Sequence, residues 1–194
     1  MTAGQNPWRT LGTRIIYANP WLRLREDRVI RPDGNEGIYS VVEMSPSVGV
    51  VALSEGQEIA LVTQWRYTLG RMSVEIPTGG SQPSDQSLLA AAQRELREET
   101  GLSARHWREL GFVDNSNGTT TDVAHMFLAT GLEAGADAQD PAEQVVLSWL
   151  PFSQAVDHVL AGSITESVSV AAILTVEVLL RRDAAGYSRA SGLT

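Results

Sequence analysis

The segment that most constrains the fold of this 194-residue chain is a glycine-rich loop followed by a short acidic helix. The loop is Ile76–Gly80, and after a polar stretch leucine and alanine recur at helical spacing. The pattern predicts an amphipathic helix from Ser87 or Leu88 to about Thr100, with Gly101 placed as the residue just past its end. The middle of the chain is therefore predicted to contain a glycine-rich loop followed by a helix that ends at a glycine.

The helix carries three glutamates within the run RELREET. Residues four apart share a face of a helix, so Glu95 and Glu99 point the same way, with Glu98 one step round. Such like charges repel each other and need a compensating cation. One possibility is that this face is simply exposed to solvent and that neighbouring arginines form salt bridges with the glutamates. The alternative is a site for Mg²⁺ or Mn²⁺, which bind through a few carboxylates and the phosphates of a substrate.

The composition excludes several chemistries. The sequence has no lysine and no cysteine, and all fifteen basic residues are arginine. It therefore cannot form a lysine-containing Walker loop, a Schiff base, a thiol nucleophile, a disulfide or a thiolate zinc site. The net charge of -8 implies no basic face, so nucleic-acid binding is not expected, and an anionic substrate would need a metal ion to mediate.

The remaining pattern predicts mainly strands before the acidic helix and two further helices at the end. Residues 14–44 read as a small antiparallel sheet of about three strands, and a second β block follows over residues 48–67. A strand over residues 144–150 precedes helices over 151–161 and 164–182, the second because a segment this long is rarely one strand. No apolar run is long enough to span a membrane, and a cytoplasmic protein is expected.

The acidic helix and the loop before it resemble the signature of the Nudix hydrolases. That signature is Gly, five residues, Glu, seven residues, Arg-Glu-aliphatic, one residue, Glu-Glu, one residue and Gly-aliphatic. The matching positions here are Gly80, Arg94–Leu96, Glu98–Glu99 and Gly101–Leu102, at the family's spacing. Gln86 stands where the family has its first glutamate, which in the family supports the loop and sometimes assists metal binding.

The resemblance extends to the ADP-ribose and nucleotide-sugar pyrophosphatase branch of that family. Gln64-Trp65-Arg66 and Glu75–Gly80 are similar to two conserved elements of the branch. The fold implied is α+β, a Nudix α/β/α sandwich with a mixed sheet, over residues 46–194. Residues 1–45 resemble the extra antiparallel β domain of the branch, which implies a homodimer.

The resemblance also implies roles for individual residues. Glu95 and Glu99 would bind the catalytic Mg²⁺, with Mn²⁺ as a possible substitute, and the main-chain carbonyl of Gly79 would be a further ligand. Glu98 would bind a second metal ion or position water. The metal ions would screen the diphosphate and activate the attacking water.

Three further side chains are candidates outside the helix. Glu143 lies in an acidic segment that aligns with the loop supplying the general base in this branch, with Asp140 as second candidate and a solvated loop acid as the alternative. Arg66 is a candidate phosphate clamp because guanidinium groups pair bidentately with phosphate, or else a surface arginine. Glu75 would contact the substrate or cap the loop.

The predicted function is Mg²⁺-dependent hydrolysis of a nucleoside diphosphate derivative, either ADP-ribose or a nucleotide sugar, to a nucleoside monophosphate and a sugar phosphate. Asn117 stands where ADP-ribose pyrophosphatases usually have proline, so the sequence does not favour ADP-ribose over other nucleotide sugars. Trp21 and Trp65 are candidates for stacking on a base, or else core or interface residues. The alternative function is a non-catalytic Nudix protein that binds a nucleotide and regulates a partner.

Overall fold

The computed structural model describes residues 5–135 and 144–185 of the chain. These residues form ten strands and three helices. The first seven elements are strands, and all three helices come after them. The strands are β1 (Arg9–Ala18), β2 (Leu22–Ile30), β3 (Glu36–Met44), β4 (Ser47–Ala52), β5 (Glu58–Arg66), β6 (Arg71–Glu75), β7 (Thr78–Gly80), β8 (Leu102–Asp114), β9 (Val123–Ala134) and β10 (Val146–Pro151). The helices are α1 (Leu88–Thr100), α2 (Phe152–Leu160) and α3 (Ser167–Ala184).

The chain divides into two compact units. The first contains the residues up to Pro46 together with Asp114–Val123, and the second contains Ser47–Val113 and the residues from Ala124 onward. In the first unit β1, β2 and β3 form an antiparallel sheet in that order, which confirms the three predicted strands. The segment after Asp114 joins this unit, since the Tyr39 hydroxyl donates to the carbonyl of Gly118 at 2.9 Å.

The second unit is built around the buried strand β4. One sheet has the order β7-β4-β9-β8 and is mixed, because β4 runs parallel to β9 and antiparallel to β7. An antiparallel sheet of order β10-β5-β6 completes the unit. Val48 and Val50 on one side of β4 pack in the cluster that contains α1, whereas Val51 packs in the cluster that contains α2 and α3. Helices thus cover both faces, which is the α/β/α sandwich with a mixed sheet that the resemblance implies.

Helix α1 begins and ends where local sequence signals predict, whereas the C-terminal helix predicted over 164–182 is Ser167–Ala184. Ser87 caps α1, because its hydroxyl accepts a hydrogen bond from the main-chain N–H of Ala90 at 3.0 Å. Gly101 ends the helix in the left-handed conformation, with a φ of 68°, that favours glycine. The C-terminal helix is also confirmed, and it begins at Ser167 because the carboxylate of Glu166 caps it.

The short strands β6 and β7 were not expected: β7 lies within the predicted loop Ile76–Gly80, and β6 lies in the segment before it, for which no strand was predicted. They form because they pair with distant strands: β6 with β5, and β7 with β4. No helix among the described residues is long and apolar enough to cross a membrane.

Candidate active site

The three glutamates of α1 differ in how far the fold buries them. Glu95 and Glu99 are buried, whereas the side chain of Glu98 is 38% exposed. The difference follows from helical geometry, because the face shared by Glu95 and Glu99 turns toward the loop that leads from β6 to β7. A buried carboxylate needs hydrogen-bond donors or a cation to offset its negative charge. On this face, that charge must therefore be offset by groups other than bulk water.

The loop between β6 and β7 is fixed by hydrogen bonds to its main chain. The N–H of Thr78 donates to Oε2 of Glu99 at 2.9 Å, and the N–H of Ile76 donates to the hydroxyl of the fully buried Ser169 at 3.0 Å. The carbonyl of Pro77 accepts from the N–H of Val50 on β4 at 2.9 Å. Three elements, α1, α3 and β4, therefore hold this loop in one conformation.

Gly79 brings the main chain of this loop against the carboxylate of Glu95. A Cβ atom at position 79 would lie 2.1 Å from Cδ of Glu95 and 2.2 and 2.3 Å from its two carboxylate oxygens. No side chain can occupy that space without displacing Glu95. Glycine is therefore required here by close approach, and the residue predicted as a main-chain metal ligand lies beside a residue predicted as a side-chain ligand.

Arg94 connects the loop to the acidic face of α1. Its Nε and Nη2 donate to the two oxygens of Asp85 at 3.1 and 2.9 Å, and Nη2 also donates to the carbonyl of Gly80 at 2.9 Å. Its Nη1 donates to Glu95 at 2.7 Å and to Glu98 at 2.9 Å. These bonds engage all five N–H groups of the guanidinium. They raise the pKa of Arg94, chiefly through Asp85, and Arg94 in turn lowers the pKa of Asp85.

Arg66, at the end of β5, and Glu75, at the end of β6, form a second ion pair between these two strands. The carboxylate of Glu75 is fully buried, and it accepts from Nε of Arg66 at 3.0 and 3.2 Å and from Nη2. Hydrogen bonds to Glu75 raise the pKa of Arg66. The Arg66 side chain is 35% exposed, so the pair holds a guanidinium whose outer part faces solvent. Glu75 itself contacts Arg66, and its burial favours a role through that arginine.

The side chains at this site supply only some of the ligands that a hard divalent cation needs. Glu95 and Glu99 supply carboxylate oxygens next to the main chain of residues 78–79, which is the donor chemistry that Mg²⁺ and Mn²⁺ prefer. Within residues 5–135 and 144–185, no group of three or more acidic or histidine side chains is arranged to hold a metal ion by itself. Ligands besides side chains, from the main chain, water or substrate, are needed to complete a coordination shell.

Other predicted residues lie elsewhere or outside the described part of the chain. Glu143 and Asp140 fall outside the described residues. Trp65 alternates along β5 with Gln64 and Arg66, so its side chain lies on the opposite face of that strand and is exposed. Gln64 is on the site's face, with Nε2 at 3.5 Å from Oε1 of Glu99.

Sequence reasoning did not find Asp85 or Ser169. Asp85 had one detectable signal, because it is an acid directly beside Gln86, the position where the signature loses its glutamate. Ser169 had none, because its partner Ile76 is 93 positions away along the chain.

Comparisons with known proteins identify the family of the chain. The NUDIX domain model matches residues 44–169, and the model of the nucleoside diphosphate sugar hydrolase N-terminal domain matches residues 8–42. The ADP-ribose pyrophosphatase of Mycobacterium tuberculosis is 32% identical over 90% of this chain and 86% of its own length. The methanol dehydrogenase activator of Bacillus methanolicus is 29% identical over 85% of this chain and 90% of its own.

A solved structure described as an ADP compounds hydrolase superimposes with a TM-score of 0.80, covering 93% of this chain and 97% of that one. Its sequence identity is 17%, so it supports the fold alone. The domain match covers most of the chain and includes the loop, α1 and the Arg66–Glu75 pair. The chain therefore belongs to the Nudix hydrolase family, in its ADP-ribose and nucleotide-sugar pyrophosphatase-like branch.

Proposed function

We propose that this protein hydrolyses the diphosphate linkage of a nucleoside diphosphate derivative, with ADP-ribose as the first substrate to test, in a reaction that requires Mg²⁺. The observation that carries the proposal is the contact between Gly79 and the buried carboxylate of Glu95, next to the hydrogen bond from Thr78 to Glu99. Buried carboxylates against a rigid main-chain loop are what a hard cation needs. The 32% identity to an ADP-ribose pyrophosphatase supports that choice of substrate.

The charge balance of the site supports a cation between the protein and the substrate. Five carboxylates face two guanidinium groups, and the seven side chains are Glu75, Asp85, Glu95, Glu98, Glu99, Arg66 and Arg94. Such a site repels a diphosphate and attracts divalent cations. When bound, the cation would offset the charge of the diphosphate and lower the pKa of the attacking water.

Arg66 would bind a phosphate oxygen of the substrate. Glu75 fixes the guanidinium through Nε and Nη2, so the outer part of the group is oriented before the substrate arrives. A preorganised donor of this kind stabilises charge that develops on the phosphate in the transition state. Glu75 would thus act as a positioning residue.

The proton of the attacking water requires a base. We propose Glu143 for this role, as its place in the sequence predicts. It precedes β10, whose first residue Val146 pairs with Thr63, next to Gln64 on the strand that also carries Arg66. Glu98 is the alternative within the described residues, because it is the one partly exposed glutamate of α1.

The test is turnover of ADP-ribose by the full chain, with ADP-glucose and UDP-glucose for comparison, in Mg²⁺, Mn²⁺ or excess EDTA. Release of nucleoside monophosphate is measured by anion-exchange chromatography. We expect turnover with either metal and none in EDTA. Glu99→Gln should lose at least about 100-fold in kcat/KM while remaining folded, because the substitution keeps the shape of the side chain and removes its charge.

The matched control is Glu55→Gln, the same substitution in the exposed turn between β4 and β5. It should leave kcat/KM within twofold of the wild-type value. Turnover that is unchanged in Glu99→Gln would mean that the metal ligands lie elsewhere. No turnover of any of the three substrates in either metal would refute the enzymatic proposal.

One observation favours a second candidate function, a regulatory Nudix protein that binds a nucleotide without turning it over. A relative 29% identical to this chain is described as a methanol dehydrogenase activator. The turnover assay separates the two functions when it is paired with calorimetric titration of ADP-ribose. Saturable binding without product formation would favour the regulatory role.

We also propose that the sheet of the first unit, within residues 1–45, mediates a homodimer. All ten residues of β1 are exposed, and among the described residues β1 is an edge strand that pairs with β2 alone. Four of its exposed side chains are large and apolar: Leu11, Ile15, Ile16 and Tyr17. An exposed, apolar edge strand of this length calls for a second chain to cover it.

Multi-angle light scattering of the wild type should give twice the chain mass of 21.0 kDa. Ile15→Arg should shift the mass toward the monomer, and Ser153→Arg, at an exposed position of α2, should not. A monomeric wild type would refute this proposal. The cytoplasm remains the predicted location, which fractionation of cells that produce the protein would test.

A further inference from the structure

Gln86 is the position at which this chain departs from the Nudix signature. Its neighbour Asp85 is acidic, and both carboxylate oxygens of Asp85 accept hydrogen bonds. Gln86 is exposed, whereas the side chain of Asp85 is only 9% exposed and faces Arg94, whose side chain is 14% exposed. Both oxygens of Asp85 accept from the guanidinium, at 3.1 and 2.9 Å. A carboxylate is therefore present at the loop, one residue earlier than the family signature places it.

Asp85 is itself held rigidly by the turn in which it lies. Its Oδ2 accepts from the N–H of Gln82 at 2.8 Å, and its own N–H donates to the carbonyl of Gln82 at 3.0 Å. The hydrogen bond from Arg94 is the main cause of the lowered pKa of Asp85, so the residue is ionised at neutral pH. A bidentate pair between an ionised carboxylate and arginine fixes the orientation of the guanidinium plane as well as its position.

The orientation of that plane decides where the rest of Arg94 points. With Nε and one side of Nη2 engaged by Asp85, the remaining donors reach the carbonyl of Gly80 and the carboxylates of Glu95 and Glu98. One arginine thus sets the distance between the glycine loop and the acidic face of α1. If Asp85 lost its charge, the guanidinium would be free to pair more closely with Glu95 and would compete with a cation for it.

We propose that Asp85 is a positioning residue that has taken over the function of the missing signature glutamate: it holds Arg94, which in turn fixes the loop at Gly80 and the carboxylates of Glu95 and Glu98, so that the site can receive a divalent cation. This inference rests on the proposed function, because it concerns the same site. Groups that orient the ligands of a metal site typically change metal affinity by about 10- to 100-fold when they are removed.

The experiment measures Mn²⁺ binding to the full chain without substrate, by electron paramagnetic resonance and calorimetric titration. Asp85→Asn should weaken Mn²⁺ binding by about 10- to 100-fold. Gln86→Ala is the matched control at the adjacent exposed position and should stay within about twofold of the wild type. The double variant Asp85→Asn/Gln86→Glu returns the carboxylate to the family's position and should recover most of the lost affinity.

Two results would overturn the inference: wild-type affinity in Asp85→Asn, or a larger loss in Gln86→Ala than in Asp85→Asn. If Asp85→Asn alone does not fold, the double variant decides the matter. A folded double variant that binds Mn²⁺ nearly as well as the wild type supports the relocation of the carboxylate, and one that is unfolded or binds 100-fold more weakly overturns it.

The proposed function can fail separately from this inference. A wild-type chain that neither binds Mn²⁺ nor hydrolyses any of the substrates would refute the proposed function. A wild type that does both, with Asp85→Asn unchanged in Mn²⁺ affinity, would refute only the role of Asp85.

Discussion

Replacing Gly79 by alanine should damage activity far more than the addition of one methyl group suggests. The new Cβ atom would lie 2.1 Å from Cδ of Glu95, and ordinary van der Waals contact begins at about 3.4 Å. The carboxyl group must therefore retreat by about 1.3 Å, or the loop must move by a similar amount. The φ of Gly79 is outside the left-handed region, so the backbone itself accepts alanine and the effect is steric.

Neither the carboxylate nor the loop can move freely. Glu95 is buried and bound to Arg94, and the loop is held by Glu99 and Ser169. A displacement of about 1 Å in a group that positions the reaction costs on the order of 100-fold in rate. We therefore expect kcat/KM to fall by about 100-fold, which corresponds to about 2.7 kcal/mol of transition-state stabilisation. Overpacking at this site should cost about 1–3 kcal/mol of the free energy of unfolding.

The assay is steady-state hydrolysis of ADP-ribose, with urea unfolding to verify that the variant is folded. Gly80→Ala is the matched control, because a Cβ atom at the next position meets no other atom within 4 Å and its φ is also outside the left-handed region. That control should keep activity within about threefold of the wild type. Gly79→Ala with more than a third of wild-type activity, or an equal loss in both variants, would refute the steric argument.

Three further predictions concern other residues. Ser169→Ala should lower the free energy of unfolding by about 1–3 kcal/mol in urea titrations, since it leaves the buried N–H of Ile76 without its acceptor; a loss under about 0.5 kcal/mol would mean that another acceptor replaces the hydroxyl. Glu143→Gln should reduce kcat by at least about 100-fold if Glu143 is the general base, and a change of only a few fold would transfer that role to Glu98 or Asp140. Arg94 lowers the pKa of Asp85 in the folded state, so the unfolded state binds more protons in that range and the stabilisation exists at neutral pH. The difference in unfolding free energy between wild type and Asp85→Asn should hold above about pH 4 and shrink as pH falls through the lowered pKa, and a difference that grows on acidification would contradict this.

The acidic helix could be predicted from the sequence because all its signals are local. The Ser87 cap, the apolar spacing and Gly101 lie within one short segment, and the predicted bounds agree with α1. The family resemblance implied Gly79 as a metal ligand together with Glu95 and Glu99, and the structure places Gly79 against Glu95. The α+β sandwich followed from the family resemblance, since no local signal specifies that β4 pairs with β9.

Long-range features escaped prediction for a common physical reason. Strand β6 is only five residues long and exists because β5 pairs with it, and Ser169 is important because α3 packs its N-terminus against the loop. Glu75 was expected at the substrate or as a loop cap, and its contact with Arg66, which buries the carboxylate, could not be predicted from the sequence. In each of these cases the residue or strand contacts a partner elsewhere in the chain, and local sequence patterns do not identify that partner.

The full engagement of Arg94 has a consequence for how the site would be filled. The guanidinium serves as an internal counter-ion of Glu95 and Glu98. A cation held by Glu95 would share that carboxylate with Arg94, and Asp85 would keep the guanidinium in place. A lysine could not do this, because its three donors cannot pair bidentately with Asp85 and reach the other partners as well. Arg94 therefore joins the loop to α1 through groups of the chain itself, so the connection between them does not have to pass through a metal ion.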